Sequence, residues 1–208
     1  MVKQFASCLV LTTLGLSSCN MSDDYHELGS GYSYVGEGGN MNHISGGNVL
    51  DNTAIHGKVT RFNVDETFII AEQKPDYEEY TSAVSTELGI NYYKYHQYLT
   101  DSVNWKKDWS AADLHEVRRF KPLYDVLSGR GVSFDNTESD MLKCTAVADS
   151  LLRNEPYYRN IFKRQRNYWI INKQTGKGLG PYDLAQFSQQ CKQSGINLKL
   201  EAHNVAID

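Results

Sequence analysis

The cysteine at position 19 is the residue whose neighbours most clearly indicate a chemical reaction. Leu16, Ser17 and Ser18 precede it, so an aliphatic residue and two small residues lie directly before a thiol. Small side chains leave the backbone open to a peptidase, and a cysteine sulfur is nucleophilic once it is deprotonated. The pattern predicts cleavage before Cys19 and attachment of a lipid to its sulfur.

The segment before Cys19 is typical of a secretory signal. Leu16-Ser17-Ser18-Cys19 resembles the lipobox of bacterial lipoproteins, and Lys3 precedes an apolar run over residues 5–16. This run is shorter than the about 20 residues that a membrane-spanning helix needs. We therefore interpret residues 1–18 as a lipoprotein signal peptide. The alternative is a buried N-terminal helix in which Cys19 is incidental.

The residues after Cys19 indicate where the protein is exported. Ser22, Asp23 and Asp24 resemble the surface-lipoprotein export signal of Bacteroides-type bacteria, in which a serine or lysine precedes paired acidic residues. Such a signal is recognised by a receptor and does not itself anchor the chain. The resemblance implies a protein anchored in the outer membrane by lipid and facing the cell exterior. An ordinary acidic tether that faces the periplasm is the alternative.

Composition limits the classes of partner. The chain has 208 residues, and loss of the first 18 leaves enough for one domain with a sizeable core. Its formal charge is −4, and removal of Lys3 makes it one unit more negative. A net acidic chain argues against nucleic acid as the main partner. The membrane, reached through the lipid, and a protein or glycan are the partners that we expect.

The hydrophobic pattern predicts an α+β fold. We expect an antiparallel sheet built from N- and C-terminal strands, with a helical insertion at about residues 77–164. Residues 19–30 are predicted to be a flexible acidic tether, and residues 31–208 a single globular domain. Predicted strands cover residues 32–35, 56–62, 67–73, 168–172 and 198–202. The continuously apolar residues 68–71 indicate a central strand that is buried on both faces.

The helical predictions rest on caps and on spacing. Predicted helices open at Thr81 or Ser82, at Ser110, at Thr137, at Pro156 and at Asp183. Asp183 with Gln186 forms a capping-box pattern, and Gly195 is the expected stop of that helix. Pro122 is expected to break or kink the helix predicted for residues 111–120.

Three segments resemble a family of uncharacterised bacterial lipoproteins, a domain of unknown function. They are residues 28–32, residues 68–75, and residues 168–172 leading to Gly180-Pro181. The resemblance implies a fold and a location, and no activity comes with it.

Cys144 and Cys191 are the cysteines that remain in the globular part of the chain. An exported protein is in an oxidising compartment, so a disulfide between them is one prediction. Two buried free thiols are the alternative.

Candidate catalytic and metal-binding patterns are weak. His115-Glu116 has Arg119 where a zinc protease has its second histidine, and the glycines of residues 29–39 do not have the spacing of a phosphate-binding loop. Asp76, Glu78 and Glu79 resemble a solvated helix start more than a pair of catalytic carboxylates. We therefore predict no catalytic, metal or cofactor-binding residue and no cofactor.

One local cluster combines basic and aromatic residues. It consists of Arg153, Arg159, Lys163, Arg164 and Arg166, interleaved with Tyr157, Tyr158 and Phe162. It could bind an anionic partner such as an acidic glycan or a lipopolysaccharide head group. The alternative is a basic helix face whose aromatic residues point into the core.

These features favour a non-enzymatic role. We expect a membrane-anchored lipoprotein that acts as a binding or accessory module for a protein or glycan. A glycan-directed hydrolase and an envelope-protective inhibitor or immunity lipoprotein are the alternatives.

Overall fold

The computed structural model describes residues 24–36, 42–46, 54–100, 118–133 and 137–202. The strands in them are β1 (Asp24–Gly29), β2 (Tyr32–Gly36), β3 (His43–Ser45), β4 (Lys58–Val64), β5 (Phe68–Lys74), β6 (Asn167–Asn172) and β7 (Lys177–Tyr182). The helices are α1 (Tyr77–Thr100), α2 (Lys121–Gly129), α3 (Thr137–Asn154), α4 (Pro156–Ile161) and α5 (Leu184–Gln193).

The predicted α+β architecture is confirmed. An antiparallel sheet has the strand order β4-β5-β6-β7, so strands from before and after the helical region pair with one another. Helices α1 to α4 lie between β5 and β6 in the chain, which matches the predicted insertion. Because β5 pairs with both β4 and β6, it is central in the sheet, as its apolar sequence indicated.

The turn between β4 and β5 is held by one side chain. Asp65 Oδ1 accepts hydrogen bonds from the backbone N–H groups of Thr67 and Phe68, at 2.8 Å and 2.7 Å. An aspartate that binds the backbone two residues ahead is a common turn former. The hairpin therefore forms where it was predicted, with each strand beginning one or two residues later.

The four-stranded sheet separates two apolar clusters. Ile69, Ala71, Trp169 and Ile171 face the helical insertion and belong to the larger cluster. The alternate residues Ile70, Tyr168 and Ile170 face α5, with Phe187 and Cys191. Successive side chains of a strand point to opposite faces, so a strand buried on both faces has a continuous apolar sequence.

The N-terminal part of the described chain forms a second sheet. It is antiparallel with the order β1-β2-β3, and Leu28 of β1 is buried in the larger cluster. The prediction of a flexible tether through residue 30 is therefore wrong for residues 24–29, because β2 supplies their hydrogen-bond partners. Gly29, Ser30 and Gly31 all have positive φ and form the turn between β1 and β2.

The prediction of a last strand needs correction. Residues 198–202 do not form a strand, because they contact β4 through a single bridge between Glu201 and Phe62. A strand that was not predicted, β7, pairs with β6 at the opposite edge of the sheet and has few strand-forming residues. Its Gly180 has a φ of 139°, and a Cβ there would lie 2.7 Å from Trp169 Cε3. Glycine at this position lets the strand approach the Trp169 ring.

The helix ends largely follow their sequence signals. Asp183 and Gln186 form the predicted capping box at the start of α5, and Gly195 follows its end with a φ of 67°. Pro122, which we expected to break a helix, lies instead in the first turn of α2. A proline there removes no intrahelical hydrogen bond. Most of the helix predicted for residues 111–120 lies outside the described residues.

Candidate functional site

A concave surface lies between α1 and α3. These helices are antiparallel, because Tyr77 OH donates to Asp149 Oδ1 at 2.9 Å and Ser85 Oγ lies 3.0 Å from Thr145 Oγ1. The buried stripe of α1 faces the core and consists of Tyr80, Val84, Leu88, Tyr92 and Tyr95. The neighbouring face of α1 and the facing side of α3 form an open channel, which we call the α1–α3 groove.

One half of the groove is apolar. It holds a cavity of about 540 Å³, within the 300–1,000 Å³ that is usual for ligand pockets. Ile90 and Tyr93 at its edge remain 46% and 45% exposed. Its described lining is Thr86, Gly89, Ile90, Tyr93, Lys94, Gln97, Val132, Asp140, Met141 and Cys144.

Gly89 keeps this half open. It lies on α1 opposite Met141, and a Cβ at Gly89 would be 3.6 Å from Met141 Sδ, an ordinary contact distance. Larger side chains at position 89 would extend into the cavity, whereas a methyl group would not.

The two charged residues of this lining differ in their surroundings. Asp140 accepts hydrogen bonds from Lys143 Nζ at 2.9 Å and from the backbone N–H of Ser133 at 3.2 Å. Lys94 is exposed and has no carboxylate partner among the described residues. The uncompensated charge at the edge of the apolar half is therefore positive.

Gln97 adds a polar atom to the same end of the groove. Its Oε1 is buried and has no hydrogen-bond partner among the described residues. A buried amide oxygen without a donor is unfavourable by about 1–3 kcal/mol. Gln97 lies one turn beyond Lys94 on α1, so the two side chains are neighbours on the helix surface.

The other half of the groove is more polar. Its cavity of about 630 Å³ shares Met141 with the first and includes two carboxylates, Glu78 and Asp149. Arg153 donates to both oxygens of Asp149, and Tyr77 donates to one of them. These hydrogen bonds, from Arg153 first and then Tyr77, lower the pKa of Asp149. Asp149 is therefore a structural carboxylate.

The acidic cluster after β5 has the helix-starting role that we favoured. Asp76 Oδ1 accepts the backbone N–H of Glu79 at 3.0 Å, which satisfies one of the free donors at the start of α1. Glu78 is exposed at the edge of the groove.

The predicted anionic-partner patch is divided by internal contacts. Arg153 is paired with Asp149, and Arg166 is paired with Glu72. Arg164 Nη1 lies 3.5 Å from the carbonyl oxygen of Pro181. Two of the five predicted charges are thus compensated within the protein. The patch stays a prediction for Arg159, Lys163 and Arg164, because a neutral carbonyl oxygen does not compensate the charge of Arg164.

Glu72 is the centre of a polar cluster that the sequence did not indicate. Its side chain is 1% exposed and is paired with both Arg61 and Arg166, which lie on either side of it. Burial acts to raise the pKa of Glu72, but hydrogen bonds from Arg61 and Thr60 together with the nearby guanidinium charges outweigh it, so the pKa is lowered. The sequence feature that could have indicated this cluster is the charged Glu72 inside a predicted strand.

The predicted disulfide is not present. Cys144 of α3 and Cys191 of α5 are both free and buried. They belong to the clusters on opposite faces of the four-stranded sheet, so the sheet lies between the two thiols. Burial raises the pKa of each thiol, and both behave as small apolar side chains.

Several predicted sites lie outside the described residues. They include the lipid attachment residue Cys19 and the export-signal residues Ser22 and Asp23, and the rejected zinc-protease pattern at His115 and Glu116 also lies outside them. Asp24 begins β1, where its Cα is paired with Gly36. Within the described ranges, no group of three histidine, cysteine or acidic side chains could hold a metal ion.

Two histidines from different segments come together in the structure. The rings of His43 and His56 are stacked, with centroids 5.6 Å apart. Burial first, and then the nearby His43, lower the pKa of His56 to about 4. His56 is thus neutral in the folded protein near pH 7.

No protein-family model, curated protein or solved structure matches this chain. The resemblance to uncharacterised lipoproteins therefore stays a prediction. None of the helices in the described part of the chain has the length and apolar character needed to cross a membrane.

Replacement of Gly89 by alanine should stabilise the protein. Glycine inside a helix is less favourable than alanine by about 0.5–1 kcal/mol, and the added methyl group meets no atom closer than 3.6 Å. We expect Gly89→Ala to raise the free energy of unfolding by about that amount, measured by urea denaturation. A decrease would mean that α1 and α3 approach more closely at Gly89.

Proposed function

We propose that the chain is a lipid-anchored cell-surface protein whose role is binding, and that the α1–α3 groove receives its partner. The partner is a protein or glycan, and the lipid on Cys19 holds the groove near the outer membrane. The observation that supports a binding role is the apolar half of the groove, with Ile90 and Tyr93 exposed at its edge.

An apolar surface that stays exposed to water is energetically unfavourable. Apolar side chains that line a concave pocket are more favourably covered than left in water, at about 25 cal/mol for each Å² removed from solvent. Contiguous apolar surfaces of this kind mark binding sites on many proteins. The groove lies on two long helices that pack on the core, so it is largely preformed.

A glycan hydrolase receives less support. Glu78 and Asp149 both line the polar half of the groove, but Asp149 is held by Arg153 and Tyr77. A catalytic acid usually has a raised pKa, whereas the pKa of Asp149 is lowered. The groove is therefore better suited to binding than to hydrolysis.

Site-specific photo-cross-linking in intact cells tests the groove. A photoreactive residue in place of Tyr93 should form an adduct with a partner, whereas one in place of Leu184, exposed on α5, should not. Identical adducts from both positions, or none from Tyr93, would contradict the proposal.

Lipid attachment at Cys19 and the exposure of the domain on the cell exterior are tested separately. Cys19→Ala should release the protein from membranes or halt its processing. Protease treatment of intact cells should remove the wild-type domain, and the Asp23→Ala, Asp24→Ala double variant should resist it. Continued digestion of the double variant would show that the acidic pair is a tether and not an address.

A further inference from the structure

We infer that the apolar half of the α1–α3 groove binds one long acyl chain whose head carries a carboxylate and a neighbouring hydroxyl group. The inference rests on the proposed binding function of the groove and names the chemical group that enters it. The ligand of the apolar half would then be a free hydroxy fatty acid, and not a protein or a sugar. Three independent features of the lining support this ligand.

The first feature is the shape and polarity of the cavity. Its walls are formed by side chains such as Ile90, Val132 and Met141, and it holds about 540 Å³. A sugar ring would leave its hydroxyl groups unpaired against these walls, which is unfavourable. A flexible hydrocarbon chain gains from burial and needs no hydrogen bonds.

The second feature is the positive charge of Lys94 at the edge of the apolar half of the groove. Lys94 lines the cavity and is exposed, while the carboxylate of Asp140 is already bound by Lys143 and by the Ser133 N–H. An anionic head group next to Lys94 would therefore gain an ion pair without competing with an internal one. A cationic head group would be repelled.

The third feature is the unpaired oxygen of Gln97. Its Oε1 is buried in the same lining and lacks a donor among the described residues. The terminal torsion of a glutamine is soft, so a small rotation can turn this oxygen toward the cavity. A hydroxyl group is a donor that could satisfy it, and a carboxylate is not.

The separation of Lys94 and Gln97 on α1 indicates how far apart the carboxylate and the hydroxyl group of the ligand should be. Lys94 and Gln97 are three residues apart on α1, and side chains at this separation lie about 5–6 Å apart at Cβ. A carboxylate and a hydroxyl two carbons apart can reach both. The simplest molecule of this kind is a 3-hydroxy fatty acid.

The test is a titration by calorimetry of the Cys19→Ala chain, which carries no acyl anchor. The probe is 3-hydroxytetradecanoic acid below its micelle concentration, compared with tetradecanoic acid and with the methyl ester of the hydroxy acid. We expect one site per chain. Loss of the hydroxyl or of the charge should each weaken binding by about fivefold to tenfold, the effect of one hydrogen bond or ion pair.

Variants assign the effect to the groove. Gly89→Leu should fill the cavity and abolish binding, whereas Gly89→Ala should bind as the wild type does. Lys94→Gln should weaken the binding of the two acids and leave the binding of the ester unchanged. Gln97→Leu should remove the preference for the hydroxylated acid. Because Lys94 is exposed, its replacement also provides a test that does not depend on the packing of the core.

The outcomes separate this inference from the proposed function. If neither acid binds, or if Gly89→Leu binds as the wild type does, the inference is overturned. If the acids fail while the Tyr93 cross-linker still captures a partner, the binding function stands and its ligand is of another class. Failure of both experiments would remove the groove as the functional site.

Discussion

Replacement of Gln73 by leucine is expected to lower the free energy of unfolding by about 4 kcal/mol, because several buried polar groups would each lose a partner at about 1–3 kcal/mol. Gln73 is completely buried on β5. Its Oε1 accepts hydrogen bonds from Trp169 Nε1 at 2.9 Å and from Asn167 Nδ2 at 3.2 Å. Its Nε2 donates to the backbone oxygen of His56 and to Tyr80 OH.

The position of this amide explains the size of the effect. Gln73 joins β5 to β6, to α1 and to the segment before β4, so it fixes the packing of the insertion on the sheet. Leucine has a similar volume and creates little cavity, but the indole N–H of Trp169 would be left in an apolar environment. An unpaired buried donor is more destabilising than the average hydrogen bond is stabilising.

Urea denaturation of Gln73→Leu measures the change. Gln189→Leu provides the matched control, since Gln189 is exposed on α5 and its replacement should change stability by less than about 0.5 kcal/mol. A loss below about 1 kcal/mol for Gln73→Leu would show that water or a rearranged side chain satisfies the network.

This network shows where sequence reasoning succeeds and where it ends. Residues 68–71 are uniformly apolar, and that local property was sufficient to predict a central strand. The next two residues, Glu72 and Gln73, are polar, so the pattern gave no reason to continue the burial. They are buried because Arg61, Arg166, Trp169 and Tyr80 supply partners from distant segments.

The candidate site was also predictable only where local sequence determines the structure. Both helices of the groove were predicted, but α1 begins at Tyr77 and not at the predicted Thr81 or Ser82. The groove itself depends on which faces of α1 and α3 meet, which is a tertiary property. The basic patch was predicted from neighbours in sequence, but Arg153 is paired with Asp149 one helical turn away and Arg166 with the distant Glu72.

The possible disulfide does not form, and the alternative of two buried free thiols holds, for a related reason. Cys144 and Cys191 both lie on amphipathic helices, and each helix packs its apolar face on the sheet. The sequence does not state which face of the sheet a helix covers. Connection through β6 and β7 places α5 on the opposite face from α3, so the thiols are separated.

Acidification should lower the free energy of unfolding over a pH range that the pKa of His56 determines. In the unfolded chain a histidine has a pKa near 6.5, whereas in the folded protein the pKa of His56 is about 4. The unfolded state therefore binds more protons between these values, and the free energy of unfolding falls as the pH falls through them. The stabilisation is complete above about pH 6.5 and is lost on approach to pH 4.

The magnitude follows from the pKa difference. At about 1.4 kcal/mol for each unit of pKa, His56 accounts for at most about 3 kcal/mol. This is an upper limit, because the residue is only partly buried by area and solvent reduces the effect. Glu72, whose pKa is lowered from its usual 4.5, loses its contribution only below that value. The interval from pH 6.5 to 4.5 therefore separates His56 from Glu72.

The measurement compares urea denaturation of the wild type and His56→Phe across this interval. Phenylalanine can retain the stacking on His43 and the edge contact with the Tyr80 ring, and it cannot be protonated. We expect the wild type to lose about 2 kcal/mol more than His56→Phe between pH 6.5 and 4.5, with the exposed-histidine control His26→Phe following the wild type. Equal losses in all three proteins would mean that His56 accepts a proton without leaving its folded position, and that the buried histidine pair does not limit stability in acid.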